Sequence, residues 1–143
     1  RIKETAAKRG LKKGVPYAGS LLPAEAWTLL GAGSRLIDVR TRAELDWVGR
    51  VPGAVELEWK SYPSMQENPN FLAQLKHQVD PEALVLFMCR SGARSDSAAR
   101  LASASGYANC YNVLEGFEGD RDASNQRNRV GGWRHAGLPW YQG

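Results

Sequence analysis

Cys89, Arg90 and Arg94 crowd around Gly92 in the run Cys89-Arg90-Ser91-Gly92-Ala93-Arg94-Ser95. A thiol reacts as its thiolate, and the charges beside it govern how much thiolate there is. Two flanking guanidinium groups favour the anion and can hydrogen-bond an oxyanion at the rim. Gly92 permits a backbone turn that other residues resist. A loop this short turns the amides of residues 90–95 inward as a nest for negative charge. The pattern reads as an anion-cradling nucleophile site. Cys89 is its attacking group, and Arg90, Ser91, Gly92, Ala93, Arg94 and Ser95 form its cradle. A cysteine at a strand end is usually structural, but two arginines and a glycine in one tight turn argue against that reading here. Spacing alone does not name the reaction.

The other polar and sulfur-bearing residues carry less chemistry. Cys110 lies in an apolar run that reads as a strand, where it is a small buried side chain; resolving a disulfide with Cys89 is the lesser alternative. Two cysteines and two histidines give neither a disulfide framework nor a metal-ligand spacing, so no metal is expected. His77 and His135 read as ordinary surface residues. Asp38 and Arg40 read as a structural ion pair near the site, because charges buried at a strand end need partners. The alternative puts Arg40 in the site from the carboxyl end of its strand. Trp47, Trp59 and Trp133 read as core or rim packing.

Presenting Cys89 in this way requires a strand before it and a helix after it. Residues 83–88 are an unbroken apolar run, a buried strand. Residues 95–105 read as a helix with Ala98, Leu101 and Ala102 inward and Gly106 as its stop, and its amino end favours negative charge. Upstream, a helix starts at Pro23 and closes at Gly31. A strand at 35–39, a short helix at 42–48, and an alternating strand at 54–59 follow. An amphipathic helix at 70–79 turns Phe71, Leu72, Leu75 and Val79 to one side. After the cysteine loop and its helix come a strand at 109–114, a polar stretch at 115–132 and a short helix at 132–136. Strands alternating with helices imply an α/β domain with a central, mainly parallel sheet. Ligands in such sheets bind at the carboxyl ends of the strands, where Cys89 lies.

Length and charge narrow the function classes. A chain of 143 residues is sized for one domain with a real core. Residues 1–13 carry a net +5 while the whole chain carries +4, so the remainder is near neutral. The positive charge is thus confined to a basic N-terminal tail and linker, residues 1–19, ahead of a domain at 20–143. A nucleic-acid partner would need a basic stripe on the folded body and is not expected. No apolar run is long enough to span a bilayer, so no membrane contact is expected, and the tail reads as a solvated amphipathic helix.

The loop, with its companions, resembles the active site of single-domain rhodanese-type sulfurtransferases. Leu36-Ile37-Asp38-Val39-Arg40 resembles the family's strand-ending Asp-Val-Arg. Arg42-Ala43-Glu44 and Gly49-Arg50-Val51-Pro52-Gly53-Ala54 resemble its acidic residue and Gly-His-Ile-Pro-Gly-Ala segment. Leu114-Glu115-Gly116, Trp133 and Gly137-Leu138-Pro139 resemble its closing pattern. Two departures stand out: Arg50 occupies the usual histidine position, and residues 117–130 lengthen the closing segment. That insert is expected to be a mobile surface loop, although Arg121, Arg127 or Arg129 from it could reach an anionic substrate.

The resemblance implies a rhodanese-like three-layer domain with helices flanking the sheet. It also implies a two-step transfer in which Cys89 takes sulfur from a small anionic donor such as thiosulfate. The resulting persulfide passes its sulfur to cyanide or a thiol, which could be borne by a protein. No cofactor is expected, and a reactive unpaired thiol fits the cytoplasm. The related phosphatase and arsenate-reductase loops are longer, Cys-x5-Arg against Cys-x4-Arg here, and are disfavoured. Non-catalytic binding modules of this fold lack the cysteine, which makes that role less favoured. Persulfide relay to a partner protein remains the alternative.

Overall fold

Val85, Leu86, Phe87 and Met88 are all fully buried. A strand whose successive side chains point to opposite faces must therefore be covered on both. In the structure, a computed structural model that describes residues 1–142, this run is strand β6 (Val85–Met88). It lies at the centre of a five-stranded sheet with β1 (Gly19–Leu21), β2 (Arg35–Asp38), β3 (Val55–Glu56) and β7 (Cys110–Val113). The order is β1-β7-β6-β2-β3, and every pair is parallel. Asp38 sits opposite Met88 in the β2–β6 register, and the Val39 amide donates to the Met88 carbonyl at 2.8 Å. Both strands consequently end at one level, which delivers Arg40 and Cys89 to the same edge.

The alternation sorts two cores. On one face Ile37, Val85, Phe87 and Cys89 pack with α4 (Phe71–Gln78) and α5 (Ala93–Ala104). On the other, Leu36, Leu86 and Met88 pack with Ala6 of α1 (Ile2–Lys13), Ala26 of α2 (Pro23–Gly31) and the indole of Trp133. The result is the expected three-layer α/β arrangement. Between β2 and β3 runs the short helix α3 (Arg42–Trp47), and a small antiparallel hairpin, β4 (Lys60–Ser61) with β5 (Gln66–Glu67), stands apart from the main sheet.

Several expectations are revised. Residues 1–19 are not a tail and linker. α1 seats Ala6 and Gly10 against β1, and Arg9 forks onto Glu25 at 2.6 and 2.9 Å. The expected boundary after residue 19 falls inside β1, whose first residue is Gly19. Helix α5 begins at Ala93, two residues earlier than the apolar pattern suggested, because Gly92 caps it with φ 114°. Leu101, expected inward, is 36% exposed. Residues 132–136 form one turn instead of a helix. There the buried Trp133 indole donates to the Pro139 carbonyl at 2.8 Å and folds the chain back.

Candidate active site

Cys89 follows β6 directly, and the left-handed Gly92 starts α5 three residues later. The turn brings the Gly92 amide to 3.1 Å from Cys89 Sγ and the Ser95 hydroxyl to 3.3 Å. A sulfur accepting from an amide at a helix start gains from both the hydrogen bond and the aligned peptide dipoles. The thiol is 1% exposed. The closing segment locks this turn from outside, since the Phe117 amide donates to the Cys89 carbonyl at 2.8 Å and the Glu118 amide to the Arg90 carbonyl at 2.9 Å. Gly116 makes that approach possible: its φ is 61°, and a Cβ there would strike the Cys89 and Arg90 carbonyls.

Asn112, a polar residue buried in β7, supports the loop from below. Its Oδ1 lies 2.6 Å from the Ser95 hydroxyl, and its Nδ2 donates to the Gly92 carbonyl at 3.3 Å. The single hydroxyl proton of Ser95 goes to Asn112 by distance, and a thiolate at Cys89 competes for it. Hydrogen bonds to charged groups contribute about 1.5–3 kcal/mol. Ser95→Ala is accordingly expected to slow modification of Cys89 by an alkylating reagent about tenfold or more. An unchanged alkylation rate would show that Ser95 only packs. The sequence signal for Asn112 was its polarity inside a buried strand, which needs a partner.

The two arginines of the loop differ. Arg94 is not free at the rim. Its guanidinium forks onto Glu44 at 2.6 and 2.8 Å with both side chains largely buried. Glu44 is the N3 residue of a capping box whose N-cap is Thr41, the residue that starts α3. Burial works against the Arg94 charge, but Glu44 and, less strongly, Cys89 and Asp38 raise its pKa above the ordinary value. Burial also works to raise the Glu44 pKa, yet Arg94 and Thr41 outweigh it and hold the carboxyl at about 2, against an ordinary 4.5.

A carboxyl lowered by folding stabilises fully above its unfolded pKa and loses that contribution as pH falls through the folded one. The Glu44–Arg94 pair therefore weakens between about 4.5 and about 2. Glu44→Gln is expected to lower stability at neutral pH and to flatten the acid-unfolding curve over that window. Superimposable acid-unfolding curves for the two proteins would contradict the assignment.

Asp38 and Arg40 form the expected ion pair, both fully buried. Arg40 Nε and Nη2 meet the carboxylate at 2.9 and 2.7 Å, Nη2 also donates to the Gly49 carbonyl at 2.8 Å, and the guanidinium lies 4.1 Å over the Phe117 ring. The pair thus joins β2, the turn at Gly49 and the closing segment. Arg50, at the family's histidine position, binds Asp46 at 2.6 Å and Glu56 at 3.1 Å, and so ties α3 to β3. Burial pushes the Cys110 thiol up to about 12, as suits a packing residue. His77 and His135 are exposed.

Beside the loop opens a cleft of about 580 Å³ lined by Arg90, Arg94, Glu44 and Glu118, with Trp47, Val48, Tyr62 and Met65 among its apolar walls. The insert folds back on its own base through hydrogen bonds. Asn128 donates through its amide to the Glu118 carbonyl at 2.7 Å, and Arg127 Nη1 donates to the Gly119 carbonyl at 2.7 Å. None of its three arginines lines the cleft; burial and then the charge of Arg90 lower the Arg127 pKa. Tyr62 and Met65 in the cleft had no signal in the sequence. Among the described residues there is no group of three or more His, Cys, Asp or Glu able to hold a metal, and no helix long and apolar enough to cross a membrane.

Comparison with known proteins gives a consistent result. The family model described as a rhodanese-like domain matches residues 22–123. The crystal structure of Rv0390 from M. tuberculosis superposes with a TM-score of 0.81 at 41% identity, over 89% of this chain and 99% of that one. An uncharacterized protein of Rickettsia conorii is 37% identical over 111 residues, 73% of this chain and 80% of its own length. The thiosulfate sulfurtransferase GlpE of Actinobacillus succinogenes is 29% identical over 120 residues, covering 83% of this chain and 86% of its own.

Proposed function

The chain belongs to the rhodanese-like domain family, and from that premise we propose that it is a sulfurtransferase working through a Cys89 persulfide. The observation that carries this reading is the contact set of Cys89 Sγ. The sulfur accepts from the Gly92 amide at 3.1 Å and faces the Ser95 hydroxyl at 3.3 Å, at the start of α5. Those donors stabilise a thiolate and, after transfer, the negative charge of a persulfide.

The Cys89 thiolate attacks the outer sulfur of a donor such as thiosulfate. A new S–S bond forms, and the donor's S–S bond breaks with its electron pair leaving on sulfite. A thiol or cyanide then removes the sulfur and returns Cys89 to the thiolate, a covalent two-step exchange. Arg94 is committed to Glu44 and fixes the loop, which leaves Arg90 as the exposed guanidinium for the donor's anionic end. The Cys-x4-Arg spacing is shorter than the loop of related phosphatases and suits a single sulfur atom. Two unpaired cysteines support placement in a reducing cytoplasm.

Mass spectrometry after exposure to thiosulfate tests the reading. A gain of about 32 Da localised to Cys89 is expected of a covalent sulfur carrier. An unmodified Cys89 after prolonged exposure, with release of phosphate from a chromogenic ester, would replace the assignment by phosphatase chemistry.

A further inference from the structure

We propose that the cleft beside the cysteine loop accepts an uncharged organic thiol with an aromatic or branched aliphatic body as the sulfur acceptor. This deepens the sulfurtransferase reading and rests on it. The cleft, about 580 Å³, lies within the range of about 300–1,000 Å³ usual for sites that enclose organic ligands. A triatomic-scale anion or cyanide would leave most of it filled with water.

The charges lining it cancel. Arg90 and Arg94 line it together with Glu44 and Glu118, and the Arg94–Glu44 fork consumes one pair outright. An anion therefore gains no net attraction across the cleft as a whole, whatever Arg90 does locally at its rim.

The remaining walls are apolar and unusually open. Trp47 is 72% exposed and Tyr62 59%. Their rings meet edge to face with centroids 6.4 Å apart at 81°, and Met65 lies on the same wall from the β4–β5 hairpin. Exposed aromatic and thioether surface gains most from covering by a partner that is itself apolar. Trp47 is held in place by its helix α3, whose capping box is tied through Glu44 to Arg94 of the loop. The Trp47 side of the cleft is thus connected through α3 to the loop that carries Cys89.

In the transfer, the acceptor's thiolate bonds to the outer sulfur of the Cys89 persulfide while the Cys89–sulfur bond breaks. The electron pair returns to Cys89 as its thiolate and the acceptor leaves as an organic persulfide. Sulfur is exchanged between two thiolates, and no external oxidant or reductant is consumed.

Single-turnover discharge of the thiosulfate-loaded protein tests this, with loading verified by the 32 Da gain (about one sulfur atom). Benzyl mercaptan is expected to discharge Cys89 about tenfold faster than 2-mercaptoethanol at equal thiolate concentration. Trp47→Ala and Tyr62→Ala should each reduce that ratio about threefold or more, in line with one lost aromatic contact. Trp47→Phe should restore most of it. A ratio near one in the unmodified protein, or a ratio insensitive to both substitutions, would overturn the proposal. Faster discharge by a cysteine-containing peptide than by benzyl mercaptan would overturn it in favour of a protein acceptor. Failure to gain sulfur at all removes the sulfurtransferase reading itself, and the acceptor assignment with it.

Discussion

Cys89→Ser is expected to reduce sulfur transfer from thiosulfate to background, a loss of at least about four orders of magnitude by analogy with removal of other covalent nucleophiles. A serine hydroxyl is not ionised without a base, and the neighbours of Cys89 Sγ are a backbone amide and a hydroxyl. Both histidines of the chain are exposed and neither hydrogen-bonds Cys89 or Ser95. The fold should survive, because a hydroxyl can keep both contacts in the place of a side chain that is itself buried. Thiosulfate turnover and a thermal melt on the same sample decide the matter. Residual transfer above a few per cent with a native melt would mean that another group carries the sulfur.

Asp38→Ala is expected to cost about 3–5 kcal/mol of stability, the penalty for leaving one charge of a buried pair without its partner. Arg40 cannot escape: its side chain is fully buried in contact with Gly49 and Phe117, and its Nη1 has no hydrogen-bond partner among the described residues. A fall in melting temperature on the order of 10 °C follows for a chain of this size. Asp38→Ala with Arg40→Met should recover much of the loss, since replacing both partners by apolar groups is far cheaper than removing one. Equal melting temperatures for Asp38→Ala and the wild type would show that Arg40 finds solvent.

The parts of this site that depend on neighbouring residues in the chain were readable in advance. An apolar run of strand length, a glycine and a small-residue helix place Cys89 at a strand-to-helix turn whatever the rest of the fold does. The buried Asp38–Arg40 pair follows from its position at a strand end. The partner of Arg94 did not follow, because Glu44 lies fifty residues away and only the sheet order brings α3 to the loop. The capping box that fixes Glu44 was present in the sequence as Thr41-Arg42-Ala43-Glu44, but capping says nothing about what the free face of a carboxylate will meet. The hairpin that carries Tyr62 and Met65 leaves no mark in the sequence either, since two-residue strands lack periodicity. The packing of the basic segment is hidden in the sequence for a similar reason. Its charges read as solvated, while the small residues Ala6 and Gly10, four apart on one helical face, were what let it lie close against β1.

That close fit has a further consequence. β1 is the last strand of the sheet, yet every residue in it is buried. Its Ser20 carbonyl receives the Arg9 guanidinium at 3.0 Å. An end strand left bare offers unpaired backbone groups to a second chain and invites edge-to-edge aggregation. α1 covers this end strand, and a cut after residue 13 is expected to open it to such pairing while leaving the cysteine loop untouched.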